Sequence, residues 1–166
     1  MTFSDSEAVK QVTQLRAQAK HALVRHNFEE AREILTHALE LDPGSYKLHR
    51  LRSVANACLQ DYDSSLQDAE VVITTMPHST DGYYHKGFAL YHKHDYAGAA
   101  HAFQEGLKLN PADRVLRQGF WDAITLLSQH RRSIDDGADK IEGTATAREE
   151  MLRNMKAMRA TTRYWR

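Results

Sequence analysis

The sequence predicts an all-α solenoid in which three helix pairs follow one another along the chain. The first observation behind this prediction is the spacing of the prolines. Pro43, Pro77 and Pro111 are the only prolines of the chain, and they lie 34 residues apart. Fixed periods of this length are typical of repeat proteins. The second observation is that residues 12–45, 46–79 and 80–113 align without a gap, with apolar and small residues in shared columns.

The third unit shows the shared pattern most completely. The residues in its defining columns are Tyr83, Gly87, Leu90, Tyr96, Ala99, Phe103, Gly106 and Pro111. These residues resemble the tetratricopeptide repeat, and the resemblance extends over residues 12–113. It implies helix-turn-helix units stacked into a right-handed superhelix, with a concave groove lined by the first helix of each unit. The second unit fits worst, because its first helix has His49 and Asn56 in apolar columns.

Small residues recur where the two helices of each unit should meet. They are Ala19, Ser53 and Gly87 in the first helices and Ala31, Ser65 and Ala99 in the second helices. Small side chains let two helices approach closely, so we expect each pair to pack at these positions. Turns between the helices are predicted near Gln60 and Asp61 and near His94 and Asp95. Each proline then ends a second helix, because its ring excludes the preceding residue from helical geometry.

The ends of the predicted solenoid carry further helices. Ser4 and Glu7 have the spacing of a capping box, which places a helix start near Asp5. After the third unit, a capping helix is predicted over about 111–130, beginning at Asn110. Its apolar stripe consists of Leu116, Phe120, Ala123, Ile124 and Leu127. The repeat domain is therefore expected to span residues 1–130, with this helix covering the open end of the stack.

Residues 131–143 are charged and contain glycine, and they are predicted to form a linker. Beyond them, residues 144–166 contain six basic residues and two acidic ones. The apolar residues in this tail recur at helical spacing: Met151, Met155, Met158 and Trp165. This pattern predicts a basic amphipathic helix. Three roles remain open for it: a solvated terminal helix, a segment that docks on its own solenoid, or a second interaction surface for an acidic or Met-rich partner.

The composition indicates an intracellular helical protein. Basic and acidic residues number 22 each, and this balance argues against a nucleic-acid-binding face. Cys58 is the only cysteine, so it can form no internal disulfide, and we expect a packing role for it. No apolar run approaches the ~18 residues that span a membrane, and the N-terminus lacks the features of a signal peptide. The expected location is the cytoplasm.

The resemblance is closest to chaperone adaptors, in which a carboxylate clamp grips the Glu-Glu-Val-Asp tail of heat-shock chaperones. The corresponding positions here are Arg16, Lys20, Leu51, Asp81 and His85. Arg16 and Lys20 are cations one helical turn apart. Leu51, by contrast, lacks the hydrogen-bond donor that the clamp has at this position. Asp81 is acidic, whereas the clamp has a basic residue there that binds a carboxylate. The sequence therefore predicts a degenerate clamp at this partner-binding groove.

The predicted function is that of a non-catalytic adaptor that holds a partner segment in the groove. One alternative is a co-chaperone that binds chaperone tails. The other is an assembly protein that forms homo-oligomers through its C-terminal helix or the edge of the solenoid. We find no phosphate loop, nucleophile elbow or zinc-ligand motif, and neither a cofactor nor a metal is expected. His78, His85 and His92 are seven residues apart, about 10.5 Å of helix rise, which is too far to share one ion.

Overall fold

The computed structural model describes residues 3–135, and in this range the chain forms seven α-helices and the turns between them. The helices are α1 (Phe3–Val24), α2 (Phe28–Leu41), α3 (Tyr46–Cys58), α4 (Tyr62–Thr75), α5 (Thr80–His92), α6 (Tyr96–Leu109) and α7 (Arg114–Asp135). The all-α prediction is confirmed. Helices α1 to α6 form three pairs, α1 with α2, α3 with α4 and α5 with α6. None of these described helices combines the length and the apolar character needed to cross a bilayer.

The turn inside each pair has the same geometry in all three units. Its central residue adopts a left-handed conformation, with φ of 65° at His26, 64° at Gln60 and 64° at His94. The amide of the following residue then donates to a carbonyl five residues earlier, as Asp61 does to Asn56. Helices commonly end in this way, with one residue in the left-handed conformation and a hydrogen bond back to a carbonyl of the last turn. The predicted turns near Gln60 and His94 are therefore confirmed.

In the second and third pairs, the two helices meet at the predicted small residues. A Cβ atom placed on Gly87 would lie 2.6 Å from the ring of Phe103, so only glycine allows this approach between α5 and α6. In the second unit the hydroxyls of Ser53 and Ser65 lie 3.0 Å apart, and each also donates to the backbone carbonyl of the other. Both serines are fully buried, and their mutual hydrogen bonds offset the cost of burying two polar groups.

A buried polar network accounts for the poor fit of the second unit to the repeat pattern. The side chain of Asp68 on α4 is only 3% exposed. Its carboxylate accepts two hydrogen bonds from Arg52 at 2.8 and 2.9 Å, and one from Asn56 at 3.1 Å. His49 Nδ1 lies 2.7 Å from the same group. The polar residues in the apolar columns of α3 are thus bound to a single carboxylate of α4.

The first helices of the three pairs contact each other directly. Helix α3 touches both α1 and α5, whereas among the described helices no comparable contact joins α2 to α4 or α4 to α6. The pairs therefore lie closer together on the side of α1, α3 and α5. We refer to the surface of these three helices as the groove face.

Helix α7 starts later and ends later than predicted. It begins at Arg114 and not at Asn110, because the buried carboxylate of Asp113 accepts hydrogen bonds from the amides of Val115 and Leu116 at 3.0 and 3.3 Å. Such an acceptor satisfies amides that have no partner inside the helix. The start of α7 packs on the third pair, where a Cβ on Gly119 would lie 2.7 Å from the Phe103 ring.

The residues up to Ile124 form one compact unit, which includes the start of α7. Helix α7 reaches Asp135, so it includes the first residues of the stretch 131–143 that was predicted as a linker. The remainder of that stretch and the predicted basic helix at 144–166 lie outside the described residues. The second interaction surface predicted there therefore stays a prediction.

Candidate functional site

Four basic side chains come together on the groove face. Arg16 and Lys20 belong to α1, and Lys47 and Arg50 belong to α3. The pKa of Lys20 is lowered by partial burial and by the positive charges of the other three residues. Like charges disfavour the protonated ammonium, so Arg16, Arg50 and Lys47 each lie close enough to Lys20 to add to the effect of burial. We call Arg16, Lys20, Lys47 and Arg50 the cationic cluster.

Arg50 links this cluster to the third unit. Its Nη1 donates to Oδ2 of Asp81 on α5 at 3.0 Å, and the two side chains are 11% and 27% exposed. The carboxylate of Asp81 is therefore already engaged by a cation of the same chain. A partner that approaches the groove face meets this ion pair where the sequence predicted an isolated negative charge.

His85 on α5 lies near both members of the ion pair, and only 4% of its surface is exposed. Burial lowers the pKa of His85 to about 4. The negative charge of Asp81 opposes this shift, and the positive charge of Arg50 adds to it. The imidazole is therefore neutral at neutral pH. The Nε2 atom of His85 has no hydrogen-bond partner among the described residues. The ring of Tyr84 packs edge-on against the imidazole ring, with 5.2 Å between the two ring centroids.

Leu51 is also buried, at 1% exposure. Among the five groove residues named from the sequence, the structure therefore brings three near the surface, namely Arg16, Lys20 and Asp81. Leu51 and His85 are packed beneath that surface. Neither of these two side chains presents a charge or a hydrogen-bond donor to the groove at neutral pH.

Sequence reasoning missed Lys47 and Arg50. The repeat itself carried the signal, since Arg50 occupies the same position in the second unit that Arg16 occupies in the first, 34 residues earlier. Lys47 lies one helical turn before Arg50 and hence on the same side of α3. Both cations become evident when the units are compared column by column for charge as well as for apolar residues.

The cationic cluster is suited to binding carboxylates. A carboxylate 4 Å from one cation gains about 4 kcal/mol of Coulomb energy at an effective dielectric constant of 20, before the cost of desolvation. Exposed ion pairs retain about 1 kcal/mol or less of this. Several weak pairs must therefore act together, which favours a ligand with more than one negative charge. Among the described residues, no group of three His, Cys, Asp or Glu side chains is arranged to hold a metal ion.

Comparison with known proteins agrees with this architecture. Residues 80–113 match the family model described as "Tetratricopeptide repeat". The Hsp70-Hsp90 organizing protein of Triticum aestivum is 34% identical over 127 residues, which make up 76% of this chain and 22% of that protein. The chain thus corresponds to less than a quarter of this relative's length.

Two solved structures show the same fold. The Sgt2 TPR domain of Aspergillus fumigatus superposes with a TM-score of 0.71 at 20% identity, over 80% of this chain and 89% of that one. The first TPR of Spaghetti (RPAP3), solved with the HSP90 peptide SRMEEVD, gives a TM-score of 0.69 at 17% identity, over 72% of this chain and 94% of that one. At these identities the likeness concerns the fold alone.

Proposed function

We propose that this chain, a tetratricopeptide repeat protein by its matched repeat and by its fold, is a non-catalytic adaptor. It binds an acidic segment of a partner protein on its groove face. The observation that carries the proposal is the cationic cluster. Its four positive charges lie close enough together to lower the pKa of Lys20. A ligand with several carboxylates relieves this mutual repulsion on binding, whereas a basic ligand would increase it.

The ion pair between Arg50 and Asp81 favours an acidic ligand over a basic one. Asp81 is the acidic residue at the predicted clamp positions, and it is engaged by Arg50. A basic ligand would have to displace Arg50 from this carboxylate. An acidic ligand leaves this ion pair in place.

The relatives support a proposal for the class of partner. The wheat relative is named for Hsp70 and Hsp90, and the peptide in the Spaghetti structure, SRMEEVD, carries two glutamates, an aspartate and a C-terminal carboxylate. We propose acidic chaperone tails of this kind as ligands of the present chain. The contacts must differ from those of the family clamp, because Leu51 and His85 are buried. Lys47 and Arg50 supply positive charge in their place.

A binding titration tests this proposal. Fluorescently labelled SRMEEVD is titrated with the full chain at low and at physiological salt, using wild type, Lys20→Gln and Lys10→Gln. Lys10 is a matched control, because it lies on the same helix, outside the cluster, with a side chain that is 72% exposed. We expect a Kd on the order of micromolar that rises with salt. Lys20→Gln should weaken binding about five-fold, in line with the loss of one charge contact.

Two results would contradict the proposal. One is the absence of binding by wild type even at low salt. The other is an equal loss of affinity in Lys20→Gln and Lys10→Gln, which would indicate attraction to the overall charge of the chain. A peptide of the same composition in scrambled order, amidated at its C-terminus, separates recognition of the tail from attraction to any acidic peptide.

A further inference from the structure

The three repeat units meet at two joints, and one pair of repeat positions carries opposite charges at one joint and like charges at the other. At the second joint, between α3–α4 and α5–α6, Arg50 pairs with Asp81 at 3.0 Å. The residues 34 positions earlier are Arg16 and Lys47, at the first joint, between α1–α2 and α3–α4. Each of these two cations lies close enough to Lys20 to lower its pKa. An attraction at the second joint is thus replaced by a repulsion at the first.

A second ion pair across the second joint also lacks a charged equivalent at the first. Lys86 on α5 pairs with Glu70 on α4 at 3.0 Å. The residues 34 positions earlier are Arg52 and Thr36, which are joined by a hydrogen bond of 3.4 Å. The charge of Arg52 is engaged within its own unit, where Asp68 lies at 2.8 Å. At these positions the first joint therefore has a hydrogen bond to a neutral group in place of an ion pair.

The third ion pair across the second joint follows the same rule. Lys93, directly after α5, pairs with Asp63 near the start of α4. The equivalent residues of the first joint are Leu59 and Glu29, so an apolar side chain stands where the cation would be. Charge attraction therefore contributes to the second joint at three pairs of positions, and the equivalent pairs at the first joint do not reproduce it.

We propose that the solenoid opens at the first joint, and that dissolved salt closes this joint while it loosens the second. The stability of a repeat protein is approximately the sum of terms for its units and for the interfaces between neighbours. A terminal unit that loses its neighbour therefore unfolds, and opening at the first joint exposes the amides of α1 and α2 while α3 to α6 stay folded. Native-state hydrogen exchange detects partial openings of this kind.

This opening takes the cationic cluster apart. Arg16 and Lys20 lie on α1 in the first unit, and Lys47 and Arg50 lie on α3 in the second unit. The four charges face a ligand together while the first joint is closed. Ionic strength thus regulates the assembly of the cluster, and this regulation goes beyond the binding of an acidic segment and does not depend on the identity of the ligand.

Hydrogen exchange of the full-length chain, followed by mass spectrometry, tests both joints in one sample, with α2 as the reporter of the first joint and α6 as the reporter of the second. Sodium chloride is raised from about 0.01 M to about 1 M, which shortens the Debye length from about 30 Å to about 3 Å. We expect the amides of α2 to exchange about five-fold more slowly at the higher salt and those of α6 about five-fold faster. A salt effect on the whole chain changes both rates alike, so the ratio of the two rates isolates the joints.

A pair of variants tests the repulsion across the first joint. Arg16→Gln removes one of the two like charges, and the amides of α2 should then exchange about three-fold more slowly at low salt, with a smaller dependence on salt. Lys10→Gln is the matched control, because Lys10 is a cation of the same helix with a side chain that is 72% exposed. This control should leave the exchange of α2 as it is in wild type.

Two results would overturn the inference. One is a salt effect of the same sign on α2 and α6, which would mean that the helices open as a single cooperative unit. The other is equal exchange of α2 in Arg16→Gln and Lys10→Gln, which would mean that the repulsion reflects the net charge of the chain and does not act across the joint. Neither result requires a bound peptide, so the proposed function stands or falls separately in the peptide titration.

Discussion

Arg50 on α3 and Asp81 on α5 form a 3.0 Å ion pair that joins the second and third repeat units on the groove face. Arg50 is also one of the cations that lower the pKa of Lys20. The pair therefore sets how much positive charge the groove face offers to a ligand. The negative charge of Asp81 offsets part of the positive charge of the cationic cluster. A substitution of Asp81, which is not a member of the cluster, should therefore alter ligand affinity.

Replacement of Asp81 by asparagine should strengthen the binding of acidic peptides. Asp81→Asn removes the negative charge that pairs with Arg50 and that lies beside the cationic cluster. We expect the affinity for SRMEEVD to rise about five-fold at low salt and less at physiological salt, because screening weakens exposed charge pairs. Fluorescence anisotropy measures both values. Asp63→Asn is the control, since Asp63 pairs with Lys93 and its side chain is 76% exposed. Equal affinities of wild type and Asp81→Asn would show that the ligand does not reach Arg50.

The buried His85 should make the stability of the fold depend on pH. Its pKa in the folded chain is about 4, lowered mainly by burial, against about 6.5 in an unfolded chain. Between these values the unfolded chain binds more protons, so the free energy of unfolding falls as the pH drops from about 6.5 to about 4. The slope contributed by one such group is at most about 1.4 kcal/mol per pH unit. Asp81 and Arg50 act on this group in opposite directions.

Urea unfolding at several pH values between 4.5 and 7.5 measures this slope. His85→Gln removes the titrating imidazole and should flatten the pH dependence, whatever its effect on stability at pH 7.5. His101→Gln is the control, because the His101 side chain is 74% exposed. The assignment to His85 is wrong if wild type and His85→Gln lose stability in parallel as the pH falls.

Substitution of Gly87 by alanine should destabilise the third unit. The added Cβ would lie 2.6 Å from the Phe103 ring, so the ring or the helix must move. Overpacking of this kind costs about 1–3 kcal/mol. Thermal unfolding followed by circular dichroism gives the change in Tm. Gly44→Ala is the matched control, because nothing lies within 4 Å of a Cβ at that position. A Tm for Gly87→Ala as high as that of Gly44→Ala would refute the close packing of α5 on Phe103.

Removal of the Asp68 carboxylate should destabilise the second unit more strongly. Asp68→Ala deprives Arg52 and Asn56 of their shared acceptor while leaving both side chains in place. We expect a loss of about 3 kcal/mol, the lower end of the range for a buried ion pair, because the Arg52 side chain is 25% exposed to solvent. Chemical denaturation measures this loss, with Asp63→Ala as an exposed control. A loss below 1 kcal/mol, the size expected for an exposed ion pair, would mean that water replaces the carboxylate.

Most of the fold was predictable from the sequence, because its signals are local and repeated. The period of the prolines and the columns of small residues indicated three helix pairs and the turns at Gln60 and His94. The polar residues His49 and Asn56 were recognised as departures from the pattern. The structural reason for these departures was not predictable, because Asp68 lies on a different helix. Only the packing of α3 against α4 brings the three residues together.

The groove residues were predictable only in part. Arg16 and Lys20 were named from the resemblance to the family clamp, and their spacing places both on one face of α1. Whether a residue on α3 is exposed or buried, however, depends on the rotation of that helix against its neighbours. Arg50 and Leu51 are adjacent in sequence, yet Arg50 contacts Asp81 on the groove face and Leu51 is buried. Successive helix residues point about 100° apart, so a small rotation decides which of the two meets a ligand.

The sequence by itself thus determined the helical class, the number of repeat units and their order. These features follow from a pattern of small, apolar and proline residues that recurs along the chain and needs no knowledge of distances between helices. The tertiary structure alone decided that Asp81 is paired, that His85 is buried and neutral, and that four cations from two helices form one cluster. These features depend on distances between helices. Burial, charge pairing and the pKa of a side chain all follow from such distances, and the repeat pattern does not specify them.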